Sequence, residues 1–185
     1  NSRLTKPTIK RYLFGYTRSM FRKIDSDDNL ITDTHKTHET SAVYRDTGGW
    51  YHIVWNVQSL DTSYLWINGV AQTINVSGSG TFHTPFYPST NFYVGRSGGN
   101  YFDGYMAEYH ALYDVNADHE DFGEFKNGVW IPKEYTGSYG SAGFYLKFEN
   151  ASNLGNDSSG NNNDLTTSMG VDHQVEDSPT NGTGS

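Results

Sequence analysis

The chain has 185 residues and a formal net charge of −8, which argues against a nucleic-acid partner, because binding phosphate needs a basic surface. It contains no cysteine, so no disulfide supports the fold, and no apolar run approaches the roughly 20 residues of a membrane-spanning helix. Aromatic residues reach 15%, and Gly, Ser, Thr and Asn are abundant, which favours strands and turns around a core of rings.

The first half of the chain has several stretches with strand character. Three lie before residue 47, namely RYLFGYTRSMFRKI, NLITDT and TSAVYRD. The clearest is GWYHIVWNVQ, where β-branched and aromatic residues alternate with period two. One face of this strand is predicted to carry Tyr51, Ile53, Trp55 and Val57, and the other His52, Val54 and Asn56.

A hairpin follows at SYLWINGVAQTINV. Its Asn68 and Gly69 suit a type I′ turn, since both central residues of that turn need positive φ. Next comes the polar loop SGSGTFHTPFYPSTN, in which Pro85 and Pro88 oppose regular structure. NFYVGRS is predicted to be a short strand, and YFDGYMAEYHALYD a longer one with a bulge at Gly104.

The stretch NADHEDFGEF predicts one short helical turn near 117–122, capped by Asn116 and carrying acidic residues at its positive end. The long connection 122–150 is rich in Gly and aromatic residues. We expect Trp130, Tyr135 and Tyr139 to clamp it onto the sheet, as a structural corner rather than a binding site. It then enters a strand at GFYLKFEN, with alternate residues buried.

Short strands at regular spacing with almost no helix predict an all-β fold, an antiparallel two-sheet sandwich or jelly roll. We assign residues 1–150 to this domain. Residues 151–185 are polar, and we expect an irregular segment that leads to a further domain.

Several motifs resemble one family. YRDTGGWYHIVWNV, YLWINGV, YFDGYMAEYHALYD, FGEFKNGVWIPKEYTGSYGSAGFYLKF, DSSGNNND and DSPTN occur in that order. The chain resembles the concanavalin A-like (laminin G-like) jelly-roll module of tailed-bacteriophage structural proteins, from about Phe21 to Asn181. The FGE…NGVW run is the most restrictive of these motifs. The first strands of the full module look missing or altered before Phe21.

The resemblance implies a concanavalin A-like sandwich in a virion protein at the particle surface, such as a tail fibre, spike or capsid decoration. It implies a recognition surface for a host glycan or receptor, or contacts to other virion proteins or to further copies, as in a trimer. The net charge argues against a nucleic-acid partner, the lack of a long apolar run against membrane insertion, and the lack of a paired-carboxylate pattern against enzyme activity.

A glycoside hydrolase is the enzymatic alternative, because related folds include glucanases. A retaining enzyme needs two carboxyl groups about 5 to 5.5 Å apart, and no strand carries the expected Glu-x-Asp-x-x-Glu pattern. Asp103 and Glu108 should face opposite sides of a regular strand. The run DHEDFGE is better explained as a solvated helix start, and His52 and His110 as hydrogen-bonded histidines at the core edge. We therefore assign no catalytic residue.

Exposed aromatic side chains near polar groups are typical of sugar-binding surfaces. The loop FHTPFYPSTN and the neighbouring SGGNYF contain such residues, although cover of a sandwich edge or an intersubunit contact is the favoured explanation for them. The candidate ligand-binding residues are Phe86, Tyr87, Tyr93, Asn100 and Tyr101.

Calcium is the one cofactor that the sequence suggests. The stretch NDSSGNNND is rich in hard oxygen donors, and both a calcium loop and a plain Asx-rich turn fit it, with the plain turn favoured. The candidate calcium ligands are Asp157, Asn161, Asn163 and Asp164.

Overall fold

The protein is all-β. The computed structural model describes residues 8–15, 20–24, 29–33, 37–44, 50–57, 63–77, 93–97, 100–102 and 105–167. Among them the regular structure consists of strands and one 3₁₀ turn, His119–Asp121, which confirms the predicted class. No helix in these residues is long and apolar enough to cross a membrane.

The strands of the described residues are numbered in chain order. They are β1 (Thr8–Gly15), β2 (Met20–Ile24), β3 (Asn29–Asp33), β4 (Thr37–Val43), β5 (Trp50–Val57), β6 (Ser63–Ile67), β7 (Val70–Ala71), β8 (Ile74–Ser77), β9 (Arg96–Ser97), β10 (Asn100–Tyr101), β11 (Tyr105–Met106), β12 (Tyr109–Leu112), β13 (Gly123–Lys126), β14 (Val129–Pro132) and β15 (Phe144–Leu146).

The main sheet has the order β15-β12-β1-β5-β6-β7, with β11 also pairing β1. Three of its six strand pairs are antiparallel, as expected, but in the other three β1 runs parallel to β5, β11 and β12. Parallel neighbours need a long crossover connection. Residues 16–49, which contain β2, β3 and β4, supply it between β1 and β5.

The second sheet has the order β2-β3-β4-β8 and is antiparallel throughout. Ile74 of β8 and Tyr44, next to β4, pack against the core of the main sheet. Tyr44 also donates its hydroxyl to Oε1 of Gln72 at 2.5 Å. Burial and the neighbouring Tyr51 raise the pKa of Tyr44 to about 12, so this phenol stays a donor.

The main sheet is covered on both faces. The first face carries a cluster of buried residues: Ile53, Trp55, Leu65, Ile67, Tyr109, Ala111, Phe144 and Leu146. The second carries Val54, Leu112, Phe122 and Tyr139, packed beneath the segment that follows β12. The alternation predicted for β5 is therefore confirmed for Ile53, Val54 and Trp55, but both faces of the strand are buried.

Two hairpins share one kind of turn. Asn68 and Gly69 between β6 and β7 have φ of 50° and 75°, which confirms the predicted type I′ turn. Asn127 and Gly128, with φ of 52° and 78°, join β13 and β14 in the same way. Residues 122–150 were expected to form a connection, and this second hairpin was not predicted.

Two further expectations differ in detail. The 3₁₀ turn lies where a helical turn was predicted, but its N-cap is Asp118 and not Asn116. The strand expected at YFDGYMAEYHALYD is divided into β10, β11 and β12, and Glu108, with φ of 56°, separates the last two. The bulge predicted at Gly104 lies outside the described residues.

Residues 151–167 are irregular but attached to the main sheet. Asp157 forms an isolated antiparallel bridge with Leu146 of β15. Leu154 is buried, and Leu165 packs against the first core cluster. The polar segment 151–167 is therefore held in place by the bridge to β15 and by the packing of its few apolar residues.

Candidate functional site

A row of five aromatic rings crosses the second face of the main sheet. We call it the ring ladder; its members, in order, are Tyr64, Trp66, His119, Trp130 and Phe125. Consecutive ring centroids lie 6.0, 4.7, 5.8 and 5.0 Å apart. The ladder joins β6, the 3₁₀ turn and the β13–β14 hairpin, and both of its end rings are exposed.

Trp130 docks the second hairpin onto the first. Its indole Nε1 donates to Nδ1 of His52 at 2.9 Å. The ring lies directly over two glycines: a Cβ built on Gly69 would be 2.1 Å from Trp130, and one built on Gly123 would be 2.4 Å from it. No larger residue fits at either position unless the indole moves.

His52 is fixed in one tautomer by this bond. An indole N–H only donates, so Nδ1 of His52 accepts and the proton of the neutral ring lies on Nε2. The backbone of His52 is fixed as well, because its N–H donates to Oδ1 of Asn68 and its carbonyl accepts from Asn68 N, each at 2.8 Å. With 2% of its surface exposed, His52 connects the two hairpins from within.

His119 is the central ring of the ladder. It stacks between the two indoles of Trp66 and Trp130, at interplanar angles of 5° and 14°. Its Nδ1 lies 2.5 Å from Oδ1 of Asp118. This hydrogen bond holds the pKa of the Asp118 carboxyl below its usual value.

The acidic run of the 3₁₀ turn has a structural use. The Asp118 carboxylate accepts from the backbone N–H of His119 at 2.6 Å and from that of Asp121, and the Asp121 carboxylate accepts from the N–H of Asp118 at 2.8 Å, so Asp118 and Asp121 form a capping box. Both carboxylates thus satisfy backbone donors at the start of the turn. This arrangement agrees with the interpretation of the run as a helix start.

A second aromatic cluster surrounds His110, which is 3% exposed. Nδ1 of His110 lies 2.8 Å from the hydroxyl of Tyr139, and its ring stacks on Tyr145 at 4.1 Å. Tyr145 in turn donates its hydroxyl to Oε2 of Glu108. The expected clamp is present here too, since the hydroxyl of Tyr139 bonds His110 of β12 and the ring of Tyr135 lies edge-on to the same histidine at 6.4 Å.

The candidate ligand-binding residues are only partly covered by the structure. Tyr93 is 41% exposed, which suits a contact residue. Asn100 and Tyr101 form β10, which pairs with β9. Phe86 and Tyr87 lie outside the described residues, so the gathering of all five at one surface stays a prediction.

The four candidate calcium ligands all make hydrogen bonds within the protein. Asp157 accepts from three backbone N–H groups, of Tyr145, Ser159 and Asn163, and from the hydroxyl of Ser159, at 2.8 to 2.9 Å. A carboxylate offers about four lone-pair sites, so these donors occupy it fully. Asp164 accepts from the N–H of Asp157 at 2.7 Å.

The two asparagines of this set present their amide nitrogens to the chain. Nδ2 of Asn161 donates to the carbonyls of Gly140 and Gly143, and Nδ2 of Asn163 to those of Ser141 and Gly143, at 2.6 to 3.1 Å. These amide donors fit an Asx-rich turn that holds residues 140–143 in place by hydrogen bonds to their carbonyl groups. Calcium binding at these residues stays a prediction. To bind the cation, the Asp157 carboxylate would have to give up hydrogen bonds from backbone N–H groups.

Two glutamates bear on the enzymatic alternative. Glu108 accepts from Tyr145, and Glu124 is exposed on β13. In the described ranges no three His, Asp or Glu side chains converge as metal ligands would. The ring ladder was not predicted; its one local signal in the sequence is the second Asn-Gly pair, at Asn127 and Gly128.

Comparison of the chain with protein-family models, with curated proteins and with solved structures finds no match.

Proposed function

We propose that the chain is a non-catalytic module of a virion appendage that displays a recognition surface, built as a concanavalin A-like jelly-roll sandwich. The motifs of the chain suggest the family, and the all-β architecture is compatible with it. Packing of β8 against the core of the main sheet supports a layered arrangement of the two sheets.

One observation carries the non-catalytic part of the proposal. The described groups best suited to acid–base chemistry are engaged in structural bonds: His52 with Trp130, His110 with Tyr139, and Asp118 with the backbone of the 3₁₀ turn. A general base must reach the proton that it removes. His52 and His110 are also buried, and the Asp118 carboxylate, although exposed, is taken up by donors of its own turn, so all three side chains serve the scaffold.

The ligand that we propose is a glycan of the host surface. Exposed aromatic rings stack on sugar rings, and neighbouring amides and backbone groups bond the hydroxyls. Tyr93 supplies an exposed ring, and Tyr87, Asn100 and Tyr101 are the further candidates near it in sequence.

A glycan array, followed by a pull-down on host polysaccharide, tests this function. We expect wild-type protein to bind, and binding to fall at least about tenfold in Tyr93→Ala and Tyr101→Ala. Tyr105→Ala is the matched control, since Tyr105 is likewise 41% exposed but belongs neither to the candidate set nor to the ring ladder. Absence of binding by wild type, or equal losses in all three variants, rejects the proposal.

A subunit contact is the second candidate function. It is favoured by apolar side chains exposed on the second hairpin, where Val129 is 64% and Ile131 39% exposed. A purely architectural module would bury about 800 Å² or more on each partner in the particle. Cross-linking of intact particles through this hairpin distinguishes it from a glycan-binding module.

A further inference from the structure

Strand β13 has a free edge in the described part of the chain, where its hydrogen-bonded partner is β14 alone. A two-residue turn makes Lys126 and Val129 a hydrogen-bonded pair, and Glu124 and Ile131 the next one. The N–H and C=O groups of Phe125 therefore point away from β14. They form a ready site for another strand.

The outer edge of β14 is not equivalent. Pro132 lies opposite Gly123, at a position whose backbone nitrogen faces outward from the hairpin. Proline has no N–H, so it interrupts a ladder on that side. Of the two edges of the hairpin, only that of β13 offers an uninterrupted set of donors and acceptors.

The charges on β13 are arranged symmetrically about Phe125. Glu124 precedes it and Lys126 follows it. When two copies of this strand pair antiparallel about Phe125, each Glu124 lies opposite a Lys126, and opposite charges attract across strands. A parallel in-register pairing would instead place like charges together. The pattern selects one mode of self-pairing and opposes the other.

We propose that β13 is a self-association strand, which pairs antiparallel with β13 of a second copy of this chain about a two-fold axis at Phe125. The partner strand then completes a four-stranded sheet from two hairpins. Phe125 is 57% exposed, so its ring is available to the partner's ring beside it.

The contact of Trp130 with the main sheet fixes the position of the hairpin before a second copy binds. Trp130 holds β14 on His52 and over Gly69, so the edge of β13 is presented by a fixed support. A contact of four residues on each side is smaller than a stable interface of about 800 Å² per partner. The pairing is therefore weak for free chains and becomes effective where an appendage brings copies together.

Charge exchange tests the pairing. In sedimentation equilibrium over a concentration series, Glu124→Lys and Lys126→Glu should each lower the association constant at least about tenfold, because both cross-strand pairs become repulsive. Mixing the two variants should restore association as a heterodimer, and the double exchange E124K/K126E should restore the homodimer. Glu134→Lys is the control for net charge, and it should leave association unchanged.

A covalent test uses the absence of cysteine. Phe125→Cys places one thiol in each chain, and Cα atoms of a directly opposed hydrogen-bonded pair lie about 5.5 Å apart, within disulfide reach. Mild oxidation should give a covalent dimer. Val129→Cys is the control. Val129 is also exposed, but in the four-stranded sheet it lies three strand spacings from Val129 of the second copy, so this variant should not cross-link.

Either of two results overturns the proposal. One is a wild-type protein that stays monomeric at the highest concentration measured, with no cross-link from Phe125→Cys. The other is a double exchange that fails to restore what the single exchanges remove. Neither bears on glycan binding, which is scored with the tyrosine variants, so the two proposals fail separately.

Discussion

Replacing Gly69 by alanine tests whether the contact beneath Trp130 holds the second hairpin on the first. The protein supplies its own control at Gly128, which occupies the same position in the same kind of turn. The two glycines have φ of 75° and 78°. A Cβ at position 69 would lie 2.1 Å from Cε3 of Trp130, whereas one at position 128 meets nothing within 4 Å.

The difference in free energy follows from that geometry. Either alanine carries the cost of the left-handed conformation, about 1–2 kcal/mol. At position 69 the indole must also withdraw by more than an ångström, which breaks its 2.9 Å bond to the buried His52. The withdrawn indole leaves a buried acceptor unsatisfied, which costs about 1–3 kcal/mol, and the crowding that remains brings the sum toward the upper part of its range. We expect losses of about 3–5 kcal/mol for Gly69→Ala and about 1–2 kcal/mol for Gly128→Ala.

The assay is equilibrium unfolding in urea, followed by tryptophan fluorescence and by circular dichroism. Combining each glycine variant with Trp130→Ala provides a double-mutant cycle, and the gap between the two alanines should close in that background. Equal losses from the two single substitutions, or a gap that persists without the indole, would refute the proposed role of the Trp130 contact.

Two further predictions use the same unfolding assay. Trp130→Phe keeps a ring over Gly69 but removes the donor to His52, so we expect a loss of about 1–3 kcal/mol, against less than about 0.5 kcal/mol for Phe125→Leu at the exposed end of the ladder. Asp157→Asn leaves too few acceptors for the four donors around it, and we expect a loss of about 2 kcal/mol. Burial alone would raise the pKa of Asp157, but the hydrogen bonds to Tyr145, Ser159 and Asn163 outweigh it and lower the pKa. Its stabilising effect is therefore present above the unfolded-state pKa of about 3.9 and is lost as the pH falls through the lower folded-state value, so wild type should lose stability more steeply than Asp157→Asn below about pH 4.

Much of the fold was predictable from local patterns. The turn at Asn68 and Gly69 follows from a dipeptide that tolerates positive φ, and the alternation in β5 gave the correct division of Ile53, Val54 and Trp55 between two faces. The short turn at His119–Asp121 was also predicted, although its cap lies at Asp118. Such features depend on neighbours in the sequence.

The positions of the histidines were harder to predict. His52 was expected at the core edge, because the pattern of β5 does not say what covers its second face. It is buried because residues 113–143 return across that face and Trp130 bonds to it from 78 positions away. The parallel pairing of β1 is non-local in the same sense, since it depends on where a crossover of 34 residues returns the chain.

The candidate site was predictable only in part. Tyr93 was expected at the surface and is exposed, but the ring ladder combines residues from three separate elements and no sequence spacing relates them. The second hairpin did have a signal, at Asn127 and Gly128. It was overlooked because GEFK is short and carries only one apolar side chain beside its two charges.

The two Asn-Gly turns show how the same local signal acquires two uses. The absence of a side chain at Gly69 allows the positive φ of the turn after Asn68. It also leaves room for the indole of Trp130, which lies over this residue. At Gly128 the absence of a side chain serves only the turn, and the neighbouring residues 124–126 of β13 are exposed. Because one turn supports the other through Trp130, the strand proposed to meet a second copy depends on a contact made by the partner strand of its own hairpin. The proposed pairing of β13 with a second copy and the stability of the turn at Gly69 therefore both depend on the indole of Trp130.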